Sequence, residues 1–178
     1  MNTLNRLASA WLSLGLLMLV SVGVQAGQDC KPTLITPSTP KSDFVFDDSK
    51  GVVTNLKTGL MWMRCSLGQI WDGKTCNELA SNYSWKDALQ QSQAYVFAGY
   101  SDWRLPNKNE LVSIMEISCV NPTIDLTIFP RTPSAYYWSS TPTAPYLDRS
   151  WSVNFYNGYI NYDLKYGKLH VRLVRTGL

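Results

Sequence analysis

One histidine, His170, is all the imidazole this 178-residue chain has, and charged residues make up only 16% of it. No Cys-x-x-Cys spacing occurs, so the usual ligand sets of zinc are missing and neither a metal nor a cofactor is expected. No Gly-x-Ser-x-Gly elbow surrounds any serine, and a Ser-His-Asp or Cys-His site would rest on His170 alone. Internal repeats, low-complexity blocks and an alternating strand-helix rhythm are all lacking, which removes solenoids and doubly wound parallel sheets. The net charge of +3 falls to +2 without Arg6, too small a balance to point to nucleic acid.

What is present begins with export. Arg6 precedes an almost unbroken apolar run at 7–24, and Val24-Gln25-Ala26 offers small residues for cleavage, so residues 1–26 read as a signal peptide. The rival reading, a permanent membrane anchor, is weakened by Ser9, Ser13, Ser21 and the glycines inside the run, and no later run is long and apolar enough to span a bilayer. Residues 27–178 then make one domain, able to bury roughly two-thirds of the surface its unfolded chain exposes. An exported chain with four cysteines is expected to carry two disulfides in the periplasm or at the cell surface. Three pairings exist. The favoured one joins Cys65 to Cys76 across a short loop and Cys30 to Cys119; the short loop contributes about 3 kcal/mol in the chain-entropy model.

Along the chain, the Pro/Thr-rich segment 27–42 reads as an extended lead-in and 43–178 as the folded domain. Phe44 and Phe46 alternate with Val45, and Val52-Val53 and Leu60-Met61-Trp62-Met63 flank a turn ending at Gly59, which spells a hairpin. Ser84 and Asp87 start a helix expected to run to Ala98-Gly99. Asn107 at an N-cap and Glu110 three residues on start a second, expected to finish near Ser118-Cys119. Strands follow at 136–140 and 150–155, Asn157-Gly158 marks a second hairpin, and 170–175 reads as the last strand. Two helices bracketed by short antiparallel strands give an α+β domain, closed by pairing of its N- and C-terminal strands.

The stretch Asp102-Trp103-Arg104-Leu105-Pro106 joins a short strand directly to the second helix start. Its structural reading puts Trp103 in the core, has Asp102 and Arg104 brace their neighbours, and makes Glu110 a cap. The functional reading makes Asp102 and Glu110 an acid pair for hydrolysis, which needs an open cleft and shifted pKa values.

The same motif, taken with Thr58-Gly59-Leu60-Met61-Trp62, Glu110-Leu111, Tyr137-Trp138-Ser139-Ser140, Trp151-Ser152-Val153-Asn154-Phe155 with Gly158, and Val171-Arg172-Leu173-Val174-Arg175, resembles the Lcl C-terminal domain family of exported bacterial proteins. The resemblance covers about 44–177. It implies a C-type-lectin-like fold, and for the best-known member trimerisation and binding of sulfated polysaccharide at host surfaces. This chain departs from that member in lacking a collagen-like Gly-x-y repeat. It also lacks the Glu-Pro-Asn, Gln-Pro-Asp and Trp-Asn-Asp signatures of lectins that hold sugar through calcium. The Arg-Leu-Pro before an acidic helix start is similar as well to the formylglycine-generating enzymes, which act through reactive cysteines.

Seven of the ten tyrosines fall between Tyr136 and Tyr166. Tyr146, Tyr156, Tyr159, Tyr162 and Tyr166 interleave with Arg149, Lys165, Lys168, His170 and Arg172. Aromatic faces suit the apolar side of a sugar ring and cations suit sulfate or carboxylate on it, so these residues form a candidate ligand face. Equally, cross-strand tyrosines can simply cover a sheet. The expected function is a non-catalytic binding domain for glycan or sulfated polysaccharide at a cell surface, in the manner of an adhesin. A structural or protein-interaction module of the envelope is the alternative, and the distant one is an enzyme. An oligomer is compatible with either binding role.

Overall fold

The computed structural model describes residues 27–177; the signal-like segment 1–26 lies outside the described residues. In chain order the first half holds β1 (Asp29–Cys30), a single 3-10 turn (Lys41–Asp43), β2 (Phe44–Asp47), β3 (Val52–Asn55), β4 (Leu60–Met63), β5 (Ile70–Trp71), β6 (Cys76–Asn77) and helix α1 (Trp85–Ala94). After it come helix α2 (Lys108–Val112), β7 (Cys119–Val120), β8 (Tyr136–Pro142), β9 (Arg149–Asn154), β10 (Ile160–Leu164) and β11 (Val174–Thr176). The architecture is α+β and every ladder is antiparallel.

A four-stranded sheet in the order β11-β4-β3-β2 carries the first hairpin and the C-terminal strand, and a three-stranded sheet β10-β9-β8 carries the second hairpin. The C-terminal strand therefore closes the fold by joining β4, with Val174 opposite Trp62, while β2 forms the far edge of the same sheet. The expected pairing of N- and C-terminal strands holds at the level of the sheet and not of adjacent strands.

Neighbouring residues in these strands feed two different cores. Val53, Trp62, Tyr137 and Val174 pack with Phe44, Leu111, Ile114 and Phe129 on one side. Val52, Met63, Trp138 and Leu173 pack with Ala88, Trp103 and Leu105 on the other. Both faces of the central strands are covered, which is why their sequences are nearly continuous apolar runs and not clean alternations.

Both helices end early. Ser84 caps α1 by accepting from Asp87 N (3.2 Å) and donating to Asp87 Oδ2 (2.6 Å). The helix stops at Ala94 because Tyr95 turns extended (φ −80°, ψ 126°), and Ala98 and Gly99, both at positive φ, turn a small hairpin that bonds Phe97 to Tyr100. The Ala98-Gly99 pair is a hairpin turn and not a helix end. At α2 the Asn107 and Glu110 capping box is complete. Its C-terminus comes at Val112, because the Ser113 hydroxyl donates back to the Glu110 carbonyl (2.7 Å) and the next amides bond three residues back instead of four.

Cys65 is bonded to Cys76 around the β5-β6 hairpin, and Cys30 to Cys119 where β1 meets β7. The Pro/Thr-rich segment is fastened a second time at Glu116. That buried carboxylate accepts from Ser38 N (3.1 Å), Thr39 N (2.9 Å), Thr39 Oγ1 (2.9 Å), Ser118 N (2.9 Å) and Ser118 Oγ (2.6 Å). Five donors hold the carboxylate without a cation. Burial alone would raise the Glu116 pKa, but these bonds outweigh it and hold the group below the ordinary glutamate value.

Candidate functional site

The central motif forms a tightly paired corner. Trp103 and Leu105 are buried, Trp103 donates to the Phe97 carbonyl (3.1 Å), and Arg104 exchanges backbone bonds with Val174. The Arg104 guanidinium grips Glu110 through two 2.7 Å bonds, and Glu110 Oε2 also accepts from Asn107 N (2.8 Å). Burial pushes the Glu110 carboxyl up, yet Arg104 and Asn107 bring it below its usual range. Asp102 is held by Arg175 (2.7 and 3.1 Å), whose guanidinium lies 4.0 Å from the Tyr100 ring centre; that bond lowers the Asp102 pKa. Asp102 and Glu110 therefore sit in two separate ion pairs, both depressed, whereas a general acid needs a raised pKa. Trp62 and Trp138 are wholly buried, and Pro106 lies beneath the Ser140 amide that bonds its carbonyl (2.8 Å).

The late tyrosines and cations divide into four groups. Arg172 leaves the proposed face altogether: it is fully buried, as are its neighbours Val171 and Leu173. Its place among the late cations put it on the ligand face, but this stretch runs between the two cores, so neither of its sides meets water. Its guanidinium donates to the Met63 carbonyl (2.9 Å), the Arg64 carbonyl, Ser66 Oγ (3.3 Å) and Thr132 Oγ1 (2.6 Å), and stacks 4.8 Å from the Phe129 ring centre. No carboxylate touches it among the described residues, and burial brings its pKa down to about 10, so it stays charged at neutral pH. His170 is also drawn inward, its Nδ1 3.1 Å from the Ser81 carbonyl and its ring 5.4 Å from that of Tyr137. Burial lowers its pKa below the ordinary histidine value, so it is neutral at pH 7 and supplies no cation.

Lys165, Tyr166 and Lys168 form the second group, beside α1. Lys165 Nζ lies 4.5 Å from the Trp85 ring centre and donates to the Leu147 carbonyl, while Lys168 pairs with Asp87 (3.1 Å). Tyr156 and Tyr159 form the third, exposed at the tip of the β9-β10 hairpin, where Gly158 takes φ +79°.

The fourth group is built. Trp151 on β9 stands directly opposite Tyr162 on β10, and their rings meet edge to face at 5.6 Å. Tyr146, from the loop before β9, stacks on Tyr162 at 5.7 Å and 20°. The Arg149 guanidinium lies 5.4 Å from both tyrosine rings. From the first residue of α2, Lys108 Nζ sits 4.6 Å over Trp151. Arg149 Nε has no hydrogen-bond partner, and neither Arg149 nor Lys108 enters an ion pair among the described residues. The result is three aromatic rings in contact, two of them exposed, with two uncommitted cations. Sequence pattern singled out Tyr146, Arg149 and Tyr162 but took Trp151 for a structural residue and missed Lys108, which reaches the face only because α2 packs on β8 and β9.

A second cation-aromatic cluster, also missed, is closed. Arg64 lies 4.4 Å from the Trp71 ring centre and 5.1 Å from that of Phe46, and its charge is taken by Asp48 (2.5 Å).

Fold and surface together define a disulfide-braced α+β domain with an aromatic-cation face on its second hairpin. A family model for the Lcl C-terminal domain matches residues 51–175, and the chain belongs to that family. No curated protein matches it.

Proposed function

We propose that this is an exported, non-catalytic binding domain that takes glycan, preferentially a sulfated or carboxylated one, on the face made by Tyr146, Arg149, Trp151, Tyr162 and Lys108. The observation that carries the reading is Arg149, a guanidinium packed beside two stacked tyrosine rings, with its buried Nε unpartnered and no carboxylate pairing it among the described residues. Rings of this kind pack against the apolar side of a pyranose, and an unpaired guanidinium beside them accepts an anionic substituent with two parallel bonds. Two disulfides, one closing a span of 89 residues, support an oxidising compartment. All four cysteines are bonded in pairs, which leaves no counterpart for the thiols that formylglycine-generating chemistry requires.

The test is retention on immobilised heparin and on a glycan array at low salt. Tyr146→Ala, Arg149→Gln and Trp151→Ala are each expected to weaken retention several-fold, and Tyr156→Ala and Tyr159→Ala to leave it nearly unchanged. Binding should fall as ionic strength rises, because Lys108 and Arg149 are only half-buried and salt still screens their attraction to an anion. Unchanged retention in the Arg149→Gln and Trp151→Ala proteins would overturn the assignment.

A further inference from the structure

A cavity of about 500 Å³ lies away from the aromatic face, with Gln28, Gln69, Glu78, Asn121, Arg131 and Thr132 in its walls. Its size is within the ordinary range of small-molecule sites. Both disulfides build it: Gln28 is two residues before Cys30, Glu78 two after Cys76, and Asn121 two after Cys119. The walls are also tied to each other, since Gln28 Nε2 donates to the Pro122 carbonyl (2.7 Å) and Gln69 Nε2 to the Arg131 carbonyl (3.1 Å).

Backbone strain collects at the same place. Of the four non-glycine residues at positive φ among those described, three line this cavity: Glu78 at 63°, Asn121 at 53° and Arg131 at 52°. Each such residue costs on the order of 1 kcal/mol, and strain of this sort persists where the surroundings over-determine it, commonly at ligand sites.

The charges around the cavity are uncommitted. Neither Glu78 nor Arg131 forms an ion pair among the described residues. Behind the wall, buried Arg172 donates to Thr132 Oγ1, and to Ser66 Oγ, whose residue in turn bonds Gln69 Oε1 through its amide (3.0 Å). Its positive charge has no carboxylate beside it, and in a poorly screened interior such a charge is felt at the wall. Leu79, 86% exposed, and Leu126 supply apolar surface at the same cavity, and no aromatic ring lines it. A plain sugar finds no stacking partner there, a purely anionic ligand meets Glu78, and a purely cationic one meets Arg131 and Arg172.

We infer that this cavity binds a small zwitterion of the amino-acid or short-peptide class, with its carboxylate at Arg131, its ammonium at Glu78 and its side chain on Leu79 and Leu126. The inference is independent of the glycan face. It is tested by titrating the folded, disulfide-intact protein, labelled with nitrogen-15, with glycyl-leucine, N-acetyl-glycyl-leucine and glycyl-leucinamide. Glycyl-leucine is expected to produce saturable shifts confined to residues 78–80, 121–122 and 131–134, with a Kd on the order of 1 mM. Blocking either terminus is expected to weaken binding about tenfold, the scale of one lost charge-assisted hydrogen bond. Arg131→Gln should erase the preference for the free carboxylate only, and Glu78→Gln the preference for the free amine only; each variant's own spectrum reports whether it is folded. Equal affinity for all three peptides, absence of saturable shifts, or displacement of glycyl-leucine by heparin would each overturn the inference.

Discussion

Two clusters of the same residue types lie on either side of the start of α2, and they are wired oppositely. On one side Asp102, Arg104, Glu110 and Arg175 pair off completely, and Trp103 is buried beneath them. On the other, Lys108 and Arg149 lie over Trp151, Tyr146 and Tyr162 with no carboxylate between them. Arginine beside an aromatic ring is therefore uninformative by itself. Among guanidiniums that reach the surface, what separates a brace from a contact surface is whether a fixed carboxylate takes up the charge before a ligand can, as it does at Arg175 and Arg64 and does not at Arg149.

The contrast is sharpest if substitutions on the closed side cost folding and those on the open side cost binding. The largest expected effect is Arg172→Met, which leaves two carbonyls and two hydroxyls without their donor; about 3 kcal/mol or more should be lost in urea unfolding. Glu110→Ala removes the helix cap and the Arg104 pair together and should cost about 1 to 2 kcal/mol, with heparin retention unchanged. If retention falls as far as stability does, the two clusters are one site and the contrast fails.

Acid should act on the closed side first. Glu110 and Glu116 have folded pKa values below the ordinary 4.5, so their contribution is complete above that value and is lost as pH falls through the lower folded values. A thermal midpoint measured from pH 6 down to pH 3 should drop below pH 4.5, and the drop should be smaller in a Glu116→Gln protein. The smallest effect on folding is expected for Tyr146→Ala, within about 0.5 kcal/mol of the parent. Its retention should nevertheless fall, and a destabilised Tyr146→Ala protein would show that the stack is cover for the sheet.

Much of the architecture was legible because it is specified locally. Asn107 and Glu110 announce α2, Ser84 and Asp87 announce α1, and Asn157-Gly158 announces the second hairpin, each through bonds spanning three residues or fewer. What was not legible depends on distant partners. Glu116 carries no local signal as the clamp for Ser38 and Thr39, some 77 residues away. Lys108 reads as an ordinary exposed helix residue until packing sets it over Trp151, and the ligand-face reading fails for Arg172 because a second layer covers that side.

The outermost strand of the second hairpin, Ile160–Leu164, has a neighbour on one side only. Its free flank presents amides and carbonyls on which another chain could template itself. Asp163 does not cover that flank, since its carboxylate accepts from Ser152 (2.5 Å) on the strand already paired.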